Sequence, residues 1–107
     1  MAGNRIEVLL AFLAEDPQDS FVRFALAKEY EKQALLKKAL DTYLELYELD
    51  PSYIGLYYHL GKLYEELSQR DDALKAYTEG IALAKKIADF HALSELNTAK
   101  TNLELEA

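Results

Sequence analysis

The chain has 107 residues, half of them hydrophobic, and a formal net charge of -7. That length supports one domain with a continuous core, and that composition excludes intrinsic disorder. The negative charge disfavours non-specific binding to nucleic acid or to anionic membranes, and the absence of Cys excludes disulfides, thiolate nucleophiles and Cys-based zinc sites.

Hydrophobic spacing is helical almost throughout and predicts six helices. The first spans about Asn4–Glu15, with Asn4 as N-cap and a stripe of Ile6, Leu9, Leu10 and Leu13. Asp16-Pro17 ends it, because a residue before proline is pushed out of the helical region. Glu7 interrupts this apolar stretch and no small-residue cleavage site follows a basic segment, so MAGNRIEVLLAFLAEDP does not read as a secretory signal. No apolar run approaches the roughly 18–20 residues of a membrane span. A soluble, cytoplasmic protein is expected.

The second helix is predicted over about Ser20–Gln33, capped by Asp19 or Ser20, and the third over Leu36–Leu49, ending at Asp50-Pro51. Ser52 is the expected cap of a fourth helix, Tyr53–Leu67. After a turn at Ser68-Gln69-Arg70, a fifth runs from Asp71 to about Lys86. Asp71 and Asp72 suit the positive end of its dipole, and Lys85 and Lys86 the negative end. The sixth covers about His91–Leu105, with Leu93, Leu96, Ala99 and Leu103 on one stripe. No Pro or Gly follows Ile81, so the break near Ala88–Phe90 rests on phase alone.

That phase is a self-repeat of 34 residues: Ser20–Tyr53 and Ile54–Ile87 align without a gap. Leu26 falls on Leu60, Lys28 on Lys62, Tyr30 on Tyr64 and Glu31 on Glu65. Ala39 falls on Ala73, Tyr43 on Tyr77 and Leu49 on Leu83, and Asp16-Pro17 precedes Asp50-Pro51 by the same interval. A fixed period of this size signals stacked supersecondary units. Short loops make consecutive helices antiparallel, and each hairpin leaves an apolar face that stacking buries. The expected organisation is one domain over 1–107: a half-repeat helix in 4–17, full repeats in 20–53 and 54–87, and a capping helix in 88–107.

Tyr57, Leu60, Gly61, Tyr64, Ala73 and Tyr77 in the second unit, with Leu26, Ala27, Tyr30, Ala39, Tyr43 and Pro51 in the first, resemble the tetratricopeptide repeat. The small residues Ala27, Gly61, Ala39 and Ala73 let the two helices of a hairpin approach, and the aromatics fill the space between hairpins. Arg23 departs from the pattern at the first aromatic, Ala34 and Ser68 at the turn glycine, and Lys85 at the closing proline. The resemblance implies an all-α, right-handed α-solenoid of antiparallel helix hairpins.

It also implies a concave groove lined by the first helix of each hairpin. By position, the groove residues are Phe21, Phe24, Lys28, Glu31 and Lys32 in the first unit, and Tyr58, Lys62, Glu65 and Glu66 in the second. Aromatics there anchor apolar side chains, and lysines meet a carboxylate. One branch of the family clamps the acidic tails of heat-shock chaperones with a Lys/Asn/Arg set. Phe24 stands at that clamp's first lysine, and Lys28 and Lys62 at its asparagines, so the clamp is not expected here.

Blander roles compete at each position. Tyr30, Tyr43, Tyr57, Tyr64 and Tyr77 fit core packing, while Phe24 and Tyr58 fit a ligand anchor or packing against the final helix. Lys28 and Lys62 fit i, i+3 pairs with Glu31 and Glu65, and the pairs Lys37-Lys38 and Lys85-Lys86 a solvated face. His59 and His91 lack the surrounding ligands a metal site needs, and no nucleotide-binding or nucleophile motif occurs. The expected function is a non-catalytic interaction module or scaffold, with no cofactor and no metal. Its partner is a peptide or protein, with no nucleic acid and no membrane. The alternative is self-association, a homodimer formed through the solenoid ends or the stripe Leu93–Leu96–Leu103.

Overall fold

The computed structural model describes residues 3–106, with side chains from Arg5 onward. These form six α-helices and no strand: α1 (Gly3–Glu15), α2 (Ser20–Lys32), α3 (Leu36–Leu49), α4 (Gly55–Glu66), α5 (Arg70–Ile87) and α6 (Phe90–Leu105). They divide into two compact units on either side of the Tyr53–Ile54 bond.

In the first unit, α1 packs on α2, and α2 pairs with α3 as a hairpin. The Asn4 cap lies outside the described side chains, and the helix begins at Gly3. Of the α1 stripe, Leu9 is buried and Ile6 and Leu13 are half-buried, but Leu10 is exposed, against expectation. A helix packed on one neighbour covers only a narrow edge, and Val8 and Phe12 stay exposed as well. Asp19, not Ser20, caps α2, its Oδ1 accepting from the Val22 N–H at 3.0 Å. Ser20 instead donates its hydroxyl to Asp50 Oδ2 at 2.6 Å. That bond joins the start of α2 to the end of α3. First the Ser20 hydroxyl and then that of Ser52 hold the Asp50 carboxyl below its ordinary range.

In the second unit, α4 and α5 form the hairpin and α6 packs on both. The expected Ser52 cap and the start at Tyr53 are not observed. Ser52 donates to Asp50 Oδ1 at 2.8 Å, and the Tyr53 N–H bonds the Asp50 carbonyl at 3.1 Å, closing a turn. Helix α4 therefore starts at Gly55, behind an Ile54 cap with no side-chain bond. Helix α5 begins at Arg70, inside the expected turn, with Asp71 and Asp72 in its first turn and Lys85 and Lys86 in its last. It ends at Ala88, and Asp89 caps α6 by accepting from the Ala92 N–H at 3.0 Å. The stripe of α6 is used within the unit: Leu96, Ala99 and Leu103 are buried and Leu93 half-buried.

Both hairpin turns end their first helix in the same way. Ala34 and Ser68 each adopt φ 60°. The next residue's N–H reaches back to the carbonyl of Tyr30 or Tyr64, at 2.8 Å in both cases. This closing motif favours glycine, which neither position has. Gly61 acts as expected, since a Cβ there would meet the Tyr77 ring at 2.2 Å. Large rings, however, lie inside the second hairpin. Tyr77 from α5 covers Gly61 of α4, and Tyr57 of α4 covers Gly80 of α5, where an added Cβ would come within 2.5 Å of the Tyr57 Cβ. Tyr43, Tyr57 and Tyr77 are buried, while Tyr30 and Tyr64 are half-buried.

Candidate functional site

The outward residues of α2 in the first unit gather around one cleft. Its volume is about 490 Å³, and Arg5 of α1 lines it with Phe21, Phe24, Ala25, Lys28, Glu29 and Lys32 of α2. Phe21 is 68 % exposed. Phe24 packs its ring against Tyr53 at 5.3 Å and Tyr43 at 6.2 Å, two residues of its own unit. The Lys28 ammonium lies over the Phe24 ring, 5.5 Å from its centroid, which holds the charge at the cleft wall. Lys32 stands exposed one turn further on.

Glu29 and Arg5 were not singled out by their spacing. Glu29 is only 7 % exposed. It bonds Arg5 Nε at 3.0 Å through one oxygen and accepts from Gln33 Nε2 at 3.1 Å through the other. A buried carboxylate needs such partners. One signal was available: the residue 34 positions on is the buried Leu63, so an acid occupies a core position of the repeat.

Glu31 faces the hairpin partner. It accepts a short hydrogen bond from the Tyr43 hydroxyl of α3. The second unit repeats this arrangement, with Tyr77 of α5 donating to Glu65 of α4. Burial first, then the bond to the carboxylate and its charge, raise both phenols above their ordinary range. Glu65 also lies 3.9 Å from Lys62 Nζ, the i, i+3 pair anticipated for that lysine.

Tyr58 in the second unit is half-buried, edge-on to the His59 ring at 5.4 Å. Helix α6 borders this face of α4. Tyr58 and Lys62 share a cleft of about 270 Å³ with His91, Ser94, Glu95, Thr98, Ala99 and Asn102. Tyr58, His59, His91, Asp89 and Glu95 line a second cleft of about 190 Å³ beside it. Glu66 is exposed in the last turn of α4. Among the described residues no group of three or more His, Cys, Asp or Glu side chains is placed to hold a metal ion. Nor is any helix among them long and apolar enough to cross a membrane.

The family model described as tetratricopeptide repeat matches residues 54–87, the second unit's hairpin. A tetratricopeptide repeat domain protein from Salinibacter ruber, solved in solution, is 47% identical; the match covers 86% of this chain and 93% of that one, with a TM-score of 0.82. The chain belongs to the tetratricopeptide repeat family, and its fold class is the all-α solenoid of helix hairpins. The TPR2B domain of yeast Sti1, solved as a complex with pHsp70, shares the fold at a TM-score of 0.89 and 12% identity, over 99% of this chain and 85% of that one. Anaphase-promoting complex subunit 3 of Dictyostelium discoideum is 28% identical over 85 residues, 79% of this chain. The chain spans 9% of that relative's length.

Proposed function

We propose that the chain is a non-catalytic adaptor that holds a peptide, or a segment of a partner protein, against the first helix of a hairpin. The observation that carries this reading is the α2 cleft, where an exposed aromatic, Phe21, and two cations, Lys28 and Lys32, meet in one concavity. Ligand sites combine apolar anchors with a few fixed polar groups in this way. Membership of a family of interaction repeats, and a fold shared with a domain solved in complex with pHsp70, support a protein partner.

Phe21→Ala with Lys28→Glu tests the reading without disturbing the core, since both side chains are exposed. Partners captured by the intact chain and then assayed as purified components should bind this variant about tenfold more weakly or worse. Undiminished binding would remove the site from α2.

Self-association is a second reading, and the stripe Leu93–Leu96–Leu103 is not its surface, because it packs within the second unit. The exposed Val8 and Phe12 on α1 offer another face, at 48 % and 53 % exposure. A molar mass by light scattering that stays monomeric as concentration rises would dismiss it.

A further inference from the structure

Helix α1 stands in the second-helix position of the repeat. Arg5, Val8 and Phe12 precede Ala39, Thr42 and Leu46 of α3 by 34 residues, and Ala73, Ala76 and Gly80 of α5 by twice that. Each of those later residues is buried. They sit on helices paired with a first helix, α2 in one hairpin and α4 in the other. Gly80 lies directly against Tyr57 of α4. Helix α1 packs on the α2 of the next hairpin, and among the described residues it has no first helix of its own. Its matching residues are exposed, Val8 at 48 % and Phe12 at 53 %. The stripe left open on α1 is therefore the stripe that an antiparallel helix covers elsewhere in the chain.

The charges at its two ends indicate what would cover it. Arg5, Val8, Phe12 and Glu15 follow one another at i, i+3, i+7 and i+10, a single exposed stripe about 15 Å long. Val8 and Phe12 share the midpoint of Arg5 and Glu15, position 10, so the stripe complements a copy of itself turned end for end. Two α1 helices laid antiparallel about a twofold axis there set Val8 on the partner's Phe12 and Arg5 against the partner's Glu15. Each contact occurs twice, as in any isologous interface. The Arg5 side chain is 64 % exposed although its Nε bonds Glu29 at 3.0 Å. A guanidinium carries five N–H donors and can meet a second carboxylate. Helix α6 offers no comparable surface: between its ends the exposed residues are polar, Ser94, Asn97, Thr98, Thr101 and Asn102 among them.

We infer that the Arg5–Val8–Phe12–Glu15 stripe of α1 is an interface for the α1 of a second copy, antiparallel and twofold symmetric. The partner's α1 takes the place that α2 has on α3 and α4 on α5. This rests on the self-association reading above and gives it a surface, a register and a stoichiometry. The pair closes at two chains, because the same patch is used on both sides. A head-to-tail contact between α1 and the outer face of α6 would instead grow without limit, and it would set apolar side chains on a polar face.

The test is sedimentation equilibrium on the full chain at concentrations up to about 1 mM, enough to reveal even a weak, transient pair. The molar mass should climb to that of two chains and stop there. Phe12→Asp, checked for unchanged helix content, should weaken association about tenfold or more. Glu15→Arg sets like charges opposite each other twice and should weaken it about fivefold at low salt. Arg5→Glu should do the same. An equimolar mixture of Arg5→Glu and Glu15→Arg chains should associate as well as the wild type, because in the mixed pair both contacts again join opposite charges. A merely misfolded variant could not show that rescue. Arg5→Glu also takes a partner from Glu29; if it loses helix content, Phe12→Asp and Glu15→Arg decide without it, since both of those side chains are exposed. Association that tolerates Phe12→Asp or Glu15→Arg, or a mass that grows past two chains, overturns this inference and leaves self-association through another face. A mixture of folded variants that associates no better than either alone overturns the antiparallel register. A mass that stays monomeric throughout overturns this inference and the self-association reading together, and leaves the adaptor reading standing.

Discussion

The two units build the same hairpin with different distributions of bulk. Each ties the hydroxyl of a tyrosine from its second helix to a glutamate twelve positions upstream, and in the second unit that ring lies against Gly61. About one helical turn away from this shared element the units diverge. The second sets Tyr57 over Gly80, whereas the first has Arg23 and Leu46 at the same repeat positions. Leu46 is fully buried. Arg23 turns away, donating to Glu45 at 3.0 Å and to the Pro17 carbonyl at 2.6 Å. A repeat therefore conserves volume between its two helices without conserving which helix supplies it.

Exchanging these residues is the strongest way to break the comparison. Leu46→Gly removes a buried side chain and adds a helix glycine, and should cost about 3–5 kcal/mol. Gly80→Leu forces bulk into a site where even a Cβ lies 2.5 Å from the Tyr57 Cβ. Neither of those two carbons can rotate away, so the helices must separate, at a cost of about 3 kcal/mol or more. Adding Tyr57→Arg to Gly80→Leu recreates the first unit's pair and should recover part of that loss. Urea unfolding reads all three, and no recovery would show that the two arrangements are not interchangeable.

The shared hydrogen bond should show closely similar behaviour in the two units. Tyr43→Phe and Tyr77→Phe each take a donor from a half-buried carboxylate and should cost about 1–2 kcal/mol. Their pH dependence has a definite sign. Both phenols are raised in the folded state, so their contribution is complete below the unfolded tyrosine value of about 10 and is lost as pH rises above it. Each Phe variant should flatten the alkaline loss of stability seen in the wild type. A variant whose alkaline profile matches the wild type would show that its tyrosine does not contribute to the loss.

Much of this architecture was legible from periodicity. The 34-residue phase located both hairpins, and α3 has the predicted bounds because Asp50-Pro51 leaves its end no choice. The first-helix positions Phe21, Phe24, Lys28 and Lys32 do meet at one cleft. Local competition and contacts distant in sequence were harder to read. Ser52 looked like a cap, but Asp50 draws its hydroxyl. Glu31 and Glu65 sit at groove positions of the repeat, yet a tyrosine from the next helix claims each of them. The Arg5–Glu29 pair spans α1 and α2, and its one periodic trace is an acid at the position where the second unit has Leu63.

The smallest predicted effect tests whether the two turns are as alike as their geometry. Ala34 and Ser68 share φ 60° and the same pair of closing hydrogen bonds, so a left-handed residue is required at both. A side chain with a Cβ is strained there by about 1–2 kcal/mol, and glycine gives back part of that relief through its greater freedom when unfolded. Ala34→Gly and Ser68→Gly should each stabilise the chain, by about 0.5 kcal/mol, and in combination by the sum, because the sites share no partner. Differential scanning calorimetry on the two single variants and the double would read this. Unequal increments would mean that the turns differ in the unfolded chain, since in the folded state their backbone geometry is the same.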